Sequence, residues 1–260
     1  YGFNYRGKEW YVQPAINKEP FAIQTRTSNR AKAVKQVMLH NRFGAELEVI
    51  MQREFGMDRV PEQIRSLEPA ASLAYTVTDS LEVRNEITTG QALIACWTLE
   101  QFDATDQTVA FAKVGNPQQA INFDFYEHPQ DRIRYGRDGF FYRVDGQKKG
   151  QIGIRKAAQA EYIGFYDLEN KLLCIREIIS QSGGLYFNMA DNEQSQGPFS
   201  AADNFSIYNS DIDAGFFELE TVAGAMVENN LLKGSRMTSR TSFARFDNRD
   251  AIEQFIQDLR

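Results

Sequence analysis

The chain has 260 residues and a net charge of −6, and 42% of its residues are hydrophobic, with 19 Phe and 11 Tyr among them. That composition supplies a large core, enough for one large β domain or two small ones. The acidic balance argues against a nucleic-acid surface or an anionic membrane as partner, and no apolar run is long enough to span a bilayer. No signal peptide stands at Tyr1. A removed signal would place the protein in the periplasm or outside the cell, and otherwise a cytoplasmic location is expected.

In chain order, the dominant pattern has period two. Ala45–Arg53 alternates as a strand with one solvated face does, and Tyr75–Thr78 leads into a second alternating stretch at Leu81–Ile87. Asp58–Pro69 includes one expected helical turn, with Pro61 near its start. Leu93–Leu99 is apolar on both faces and reads as an inner strand. Further strands are expected at Gly139–Val144, Gln151–Arg155, Tyr162–Tyr166, Lys171–Ile179 and Arg236–Phe246, with turns at Asp145-Gly146 and Lys233-Gly234. Asp191–Gln196 and the following Gly197-Pro198 read as a surface loop. At the end, Asp247 or Asn248 caps a helix whose Ile252, Phe255, Ile256 and Leu259 share one face, and this stripe is expected to pack on the outside of a sheet. No internal repeat or linker divides the chain.

The search for familiar chemistry excludes more than it finds. His40, expected to end a strand, and His128, expected in a loop, are the only histidines and build no metal motif. Cys96 and Cys174 have no metal spacing; they are two buried thiols or a single bridge. There is no Gly-x-Ser-x-Gly elbow, and Gly183-Gly184 belongs to no phosphate-binding loop. No metal and no cofactor is therefore expected.

One segment stands apart. In Gly215-Phe216-Phe217-Glu218-Leu219-Glu220-Thr221, period two puts Glu218 and Glu220 on one face and Phe217, Leu219 and Thr221 on the other. Two neighbouring carboxylates within an apolar run either face solvent or need partners, because burying a charge is costly. A saccharide cleft needs aromatic faces for the apolar side of the sugar and planar polar groups for its hydroxyls. Trp97, Trp10, Glu218, Glu220, Arg155 and Lys156 offer those types. Trp97 is equally a core residue of an apolar strand, and Arg155 and Lys156 are equally solvated charges at a strand end.

The Leu219-Glu220-Thr221 triplet resembles the late strand of galactose mutarotase-like (aldose 1-epimerase-like) proteins, where a glutamate in this context is catalytic. Further fragments fall in the order of an uncharacterised bacterial branch of that superfamily. They are Glu19-Pro20-Phe21, Asn41-Arg42-Phe43-Gly44, Cys96-Trp97-Thr98-Leu99, Gln151-Ile152-Gly153-Ile154, Gly164-Phe165-Tyr166-Asp167 and Tyr208-Asn209. Two departures stand out: the chain opens inside the pattern, as if its N-terminal part were missing, and the epimerase histidine has no counterpart. The resemblance implies a single all-β domain over 1–260, a large antiparallel β-sandwich whose short terminal helix at 248–260 packs on it. It also implies a carbohydrate-binding or carbohydrate-processing protein, epimerase-related, with Glu220 as catalytic base and a saccharide as ligand. The competing expectation is an inactive structural or interaction module on the same scaffold. An oligomer is compatible with either.

Overall fold

The computed structural model describes residues 2–4, 9–41, 44–125, 129–187 and 202–260, with backbone only up to Tyr11. Strands β1 (Gly2–Asn4) and β2 (Glu9–Tyr11) pair with each other, and α1 (Pro14–Asn17) follows. Next come β3 (Ala22–Arg26), β4 (Arg30–His40), β5 (Glu46–Asp58), α2 (Glu62–Arg65) and β6 (Ala71–Val83). The middle of the chain holds β7 (Trp97–Asp103), β8 (Thr108–Lys113), α3 (Pro117–Ala120), β9 (Ile121–Asn122), β10 (Ile133–Tyr135), β11 (Gly139–Arg143) and β12 (Gly150–Arg155). The last part contributes β13 (Tyr162–Asp167), β14 (Leu172–Gln181), β15 (Asp203–Asn209), β16 (Phe216–Val222), β17 (Met226–Glu228), β18 (Leu231–Arg245) and α4 (Asp250–Leu259).

Every described pairing is antiparallel. A large sheet runs β10-β11-β8-β13-β14-β18-β6-β5-β4-β3, with β17 added beside β18, and a five-stranded sheet runs β7-β16-β15-β12-β9. The two face each other as an all-β sandwich. Alternation builds the interface: Ile152, Ile154, Phe205, Ile207, Phe217 and Leu219 of the small sheet meet Ala110, Ala112, Phe140, Phe165 and Cys174 of the large one. The opposite face of the large sheet is covered by α4, whose Ile252, Phe255, Ile256 and Leu259 pack on Phe111, Tyr162, Leu173 and Ile175. Cys96 and Cys174 are both buried free thiols.

Three local expectations are corrected. The strand expected at Leu93–Leu99 begins only at Trp97 and is an edge strand, not an inner one. Its apolar lead-in packs as a loop, with Ala92 and Cys96 buried and the Cys96 amide donating to Ser235 Oγ at 2.9 Å. Lys233-Gly234 lies inside β18; the turn is made by Asn229 and Asn230, both left-handed with φ of 49° and 62°. Gly234 serves close approach instead, since a Cβ there would sit 1.9 Å from the Leu81 carbonyl oxygen. Finally, α4 has Arg249 at its N-cap position with no side-chain cap, while Asn248 Oδ1 accepts from the Asp250 amide at 3.0 Å. His40 ends β4, and Pro61 stands directly before α2. His128 and Asp191–Pro198 lie outside the described residues.

Candidate functional site

Register brings the polar side chains together. Glu218 pairs with Tyr208 on one side and Gln101 on the other, Tyr208 pairs with Gln151, and Glu220 pairs with Ser206 and Leu99. Cross-strand partners point to one face, so these residues share the side of the small sheet turned away from the core. Phe217, Leu219 and Thr221 are buried on the other side. The alternation read from Gly215–Thr221 is therefore the alternation of β16.

Glu220 does not face solvent: it is 1% exposed. Trp97 Nε1 donates to its Oε2 at 3.0 Å, and Gln151 Nε2 lies 3.3 Å from each carboxylate oxygen. The same Gln151 amide donates to Ser206 Oγ at 2.9 Å, and the Ser206 hydroxyl bonds Glu220 in turn. Burial, and then the charge of Glu218, push the Glu220 carboxyl up to about 8, against the opposing hydrogen bonds of Ser206 and Trp97. Half-buried Glu218 is pushed up by burial to about 7, while its hydrogen bond from Glu220 opposes the rise. Both carboxyls are thus pushed toward the protonated form, Glu220 further than Glu218, and the Glu220 carboxyl donates to Glu218. Gln101 Nε2 lies 3.5 Å from Glu218 on the solvent side.

The remaining candidates divide. Trp97 is half-buried, packs with Phe125 and Val222, and uses its indole nitrogen on Glu220. It is neither a pure core residue nor a free platform. Arg155 Nη1 is taken up by the backbone carbonyls of Gln119 and Ile121, and so ties α3 and β9 to β12. Lys156 sits over the Tyr186 ring at 4.9 Å. Neither cation contacts the glutamates. Trp10 is in β2, but its side chain lies outside the description. The cavities of about 590 Å³ and 530 Å³ are also lined by other residues than the glutamate pair.

Sequence reasoning singled out neither Gln151 nor Ser206, although Gln151 opens one of the recurring fragments. A third carboxylate was missed as well. Asp203 is 3% exposed, accepts from Asn122 Nδ2 at 2.7 Å, and is pushed up by burial. It occupies space left by Gly153, where a Cβ would lie 2.4 Å from Asp203 Oδ2 and 3.0 Å from Phe125. The signal was a glycine inside a strand, which marks close approach of a neighbour. Among the described residues, no group of three or more His, Cys, Asp or Glu side chains could hold a metal ion. No helix among them is long and apolar enough to cross a membrane.

The fold and site define an antiparallel β-sandwich with two neighbouring glutamates, Glu220 buried and Glu218 half-buried, on the outer face of its smaller sheet. The chain belongs to a family described as "Family of unknown function (DUF6786)", whose model matches residues 2–256. No curated protein matches it in sequence. Among solved structures it is similar to a galactose mutarotase-like protein from Lactobacillus casei, at 9% identity and a TM-score of 0.44, over 86% of this chain and 72% of that one. It is also similar to a galactose mutarotase related enzyme from Lactobacillus acidophilus, at 8% identity and a TM-score of 0.43, over 88% of this chain and 73% of that one.

Proposed function

We propose that the Glu218–Glu220 pair serves a saccharide site and that its chemistry is proton transfer of the sugar-epimerase kind. The observation that carries this reading is a buried carboxylate held by Trp97 Nε1 and Gln151 Nε2 beside a second, more exposed carboxylate, Glu218. The Leu219-Glu220-Thr221 resemblance supports the same assignment. One shared proton supplies both roles that ring opening needs. Passing it from Glu220 to Glu218 frees Glu220 as base and arms Glu218 as acid. Glu220 then takes the proton of the anomeric hydroxyl, Glu218 gives its proton to the ring oxygen, and the bond between that oxygen and the anomeric carbon breaks. Reversal on the other face of the carbonyl closes the second anomer. Glu218 thus fills the place of the histidine that has no counterpart here.

The test is anomer interconversion and binding, followed by NMR across mono- and oligosaccharides. Glu220→Gln keeps shape but loses the base, so turnover should vanish while the fold persists. Glu218→Gln should weaken saccharide binding as well as slow the reaction. A sugar whose turnover survives Glu220→Gln unchanged would refute the assignment. The depth of Glu220 favours a second reading, an inactive structural or interaction module in which the pair is only a polar filler. Absence of any saccharide binding by the wild-type chain would support that reading over the first.

A further inference from the structure

Helix α4 covers the outer face of the large sheet only in part. It packs on Phe111, Tyr162, Leu173 and Ile175 and ends at Leu259, whose carbonyl accepts from the Asp138 amide at 3.3 Å. The Arg260 carbonyl accepts from the Arg137 amide at 2.7 Å, so the helix end is pinned to the turn between β10 and β11. Beside that junction the sheet stays open. A cavity of about 530 Å³ lies there, within the range of small-molecule sites.

Register shows which strand side chains reach it. Arg134 pairs with Phe141, which pairs with Phe111, and Arg143 pairs with Val109, which pairs with Tyr166. Phe111, Phe141 and Tyr166 pack in the layer that meets α4, so both rows face outward, away from the small sheet. Arg134 and Arg143 therefore share a face with the Tyr166 ring, over a floor of Val109 and Phe141.

The charges around this floor are unbalanced. In a chain of net charge −6, the cavity is lined by four arginines and one acid, the exposed Asp131. Buried Arg132 and exposed Arg143 share the carboxylate of Asp145, and Arg132 also donates to the Arg143 carbonyl. Arg134 and Arg260, both exposed, have no side-chain carboxylate within ion-pair reach among the described residues. Tyr166 adds an independent sign. It is 7% exposed, yet its hydroxyl has no hydrogen-bond partner among the described residues, which is costly for a buried group. Burial pushes its phenol up, while the charges of Arg260 and Arg134 oppose the rise, so both guanidinium groups stand near the hydroxyl. One guanidinium fork satisfies a carboxylate, whereas the oxygens of a phosphate take donors from several directions. Arginines from two strands and the helix end, with an O–H beneath them, supply that spread.

We propose that this cavity on the outer face of the large sheet binds a phosphate monoester of a small organic molecule. Arg134, Arg143, Arg260 and the Tyr166 hydroxyl take the phosphate oxygens, and the organic body lies on Val109 and Phe141. The Glu218–Glu220 pair is on the outer face of the other sheet, so the two sites share no residue.

Titration calorimetry of the whole chain with phenyl phosphate, inorganic phosphate, benzoate and phenol tests this, at about pH 8 where phosphate esters carry two charges. Phenyl phosphate should bind saturably and be displaced by inorganic phosphate, which lacks the ring and should bind several-fold more weakly. Benzoate and phenol should each bind roughly tenfold or more weakly than phenyl phosphate. Arg134→Gln changes an exposed side chain and should weaken phenyl phosphate roughly tenfold. Tyr166→Phe keeps the ring in its layer and should do the same. Glu220→Gln should leave this affinity unchanged, which keeps failure here distinct from failure of the saccharide reading. Inorganic phosphate binding as tightly as the ester would make this a free-phosphate site and overturn the assignment. So would benzoate or phenol binding as tightly, no saturable binding of phenyl phosphate, affinity indifferent to Arg134→Gln and Tyr166→Phe, or its loss in Glu220→Gln.

Discussion

A carboxylate that keeps its proton into the neutral range makes stability depend on pH, and Glu220 is such a group. Its carboxyl is pushed up to about 8 by burial and by Glu218, whereas in the unfolded chain it titrates near the ordinary glutamate value of about 4.3. Between those values the folded state binds more protons than the unfolded one, so stability falls as pH rises through the window. Below it, both states are protonated and the contribution is fully present. Glu220→Gln removes the titration. Chemical denaturation at several pH values should show wild type losing stability from about pH 5 to about pH 8, with the variant flatter and more stable by roughly 1–3 kcal/mol at the alkaline end. An identical slope in both proteins would mean that Glu220 is ionised in the fold. The same pair governs the proposed chemistry: turnover should peak between about 7 and about 8, where one proton is shared. It should fall on the acid side as both carboxyls fill and on the alkaline side as both empty.

Strand β16 joins the site to the core, because each residue that faces the glutamates is followed by one that faces the other sheet. Phe217 is fully buried, with its ring centroid 5.4 Å from Phe102 and 5.0 Å from Phe165. Phe217→Ala should therefore cost about 3–5 kcal/mol in denaturant unfolding, mostly as a cavity. Arg176 is a different kind of link, a buried guanidinium that joins β14 to β7, β16 and β18. Arg176→Ala leaves the Glu100 carboxylate without its partner and should cost a comparable 3–5 kcal/mol or so, while Arg176→Met should cost less if Glu100→Leu is made with it. A double variant as unstable as Arg176→Ala alone would show that packing, not charge, sets the cost.

The period-two stretches were legible because one face of each strand is buried and the other is not. This holds for Ala45–Arg53 in β5 and for Gly215–Thr221 in β16. Leu93–Leu99 misled because a buried loop and an inner strand have the same apolar composition; only Ser235 Oγ, distant in sequence, receives the Cys96 amide. The recurring fragments gain physical meaning in three dimensions. Lys35 Nζ donates to the Glu19 carbonyl at 3.0 Å and lies 4.4 Å from the Phe21 ring centroid, and Asn41 Oδ1 accepts from the Ala45 amide at 3.0 Å. Asp167 accepts from the Glu169 and Asn170 amides, and Asn209 Oδ1 from the Gly146 amide. Most of these residues hold turns and chain crossings. Gln151, Trp97, Leu99 and Tyr208 lie on the face of the candidate site beside Glu218 and Glu220, and no local pattern separates them from the others.

At the scale of the whole molecule, the question is whether one core or several hold the chain. The large sheet runs from β3 to β10 without a break, and the small sheet rests on part of it through Phe205, Ile207, Phe217 and Leu219. The chain also crosses between sheets repeatedly, as at β11 to β12 and β12 to β13. Helix α4 closes the far side, with Phe255 edge-on to Phe111 at 5.5 Å and stacked on Tyr162 at 6.4 Å. If 1–260 is one domain, damage to this outer layer must be felt by the inner one. Phe255→Ala should lower the midpoint of the entire transition, by about 3–5 kcal/mol, and not release the helix alone. Calorimetry with the intrinsic fluorescence of Trp97 and Trp10 as a second probe is the check. A single transition shifted equally in both signals is the expected result. Two resolved transitions, with the helix side melting first, would divide the chain into separately stable units.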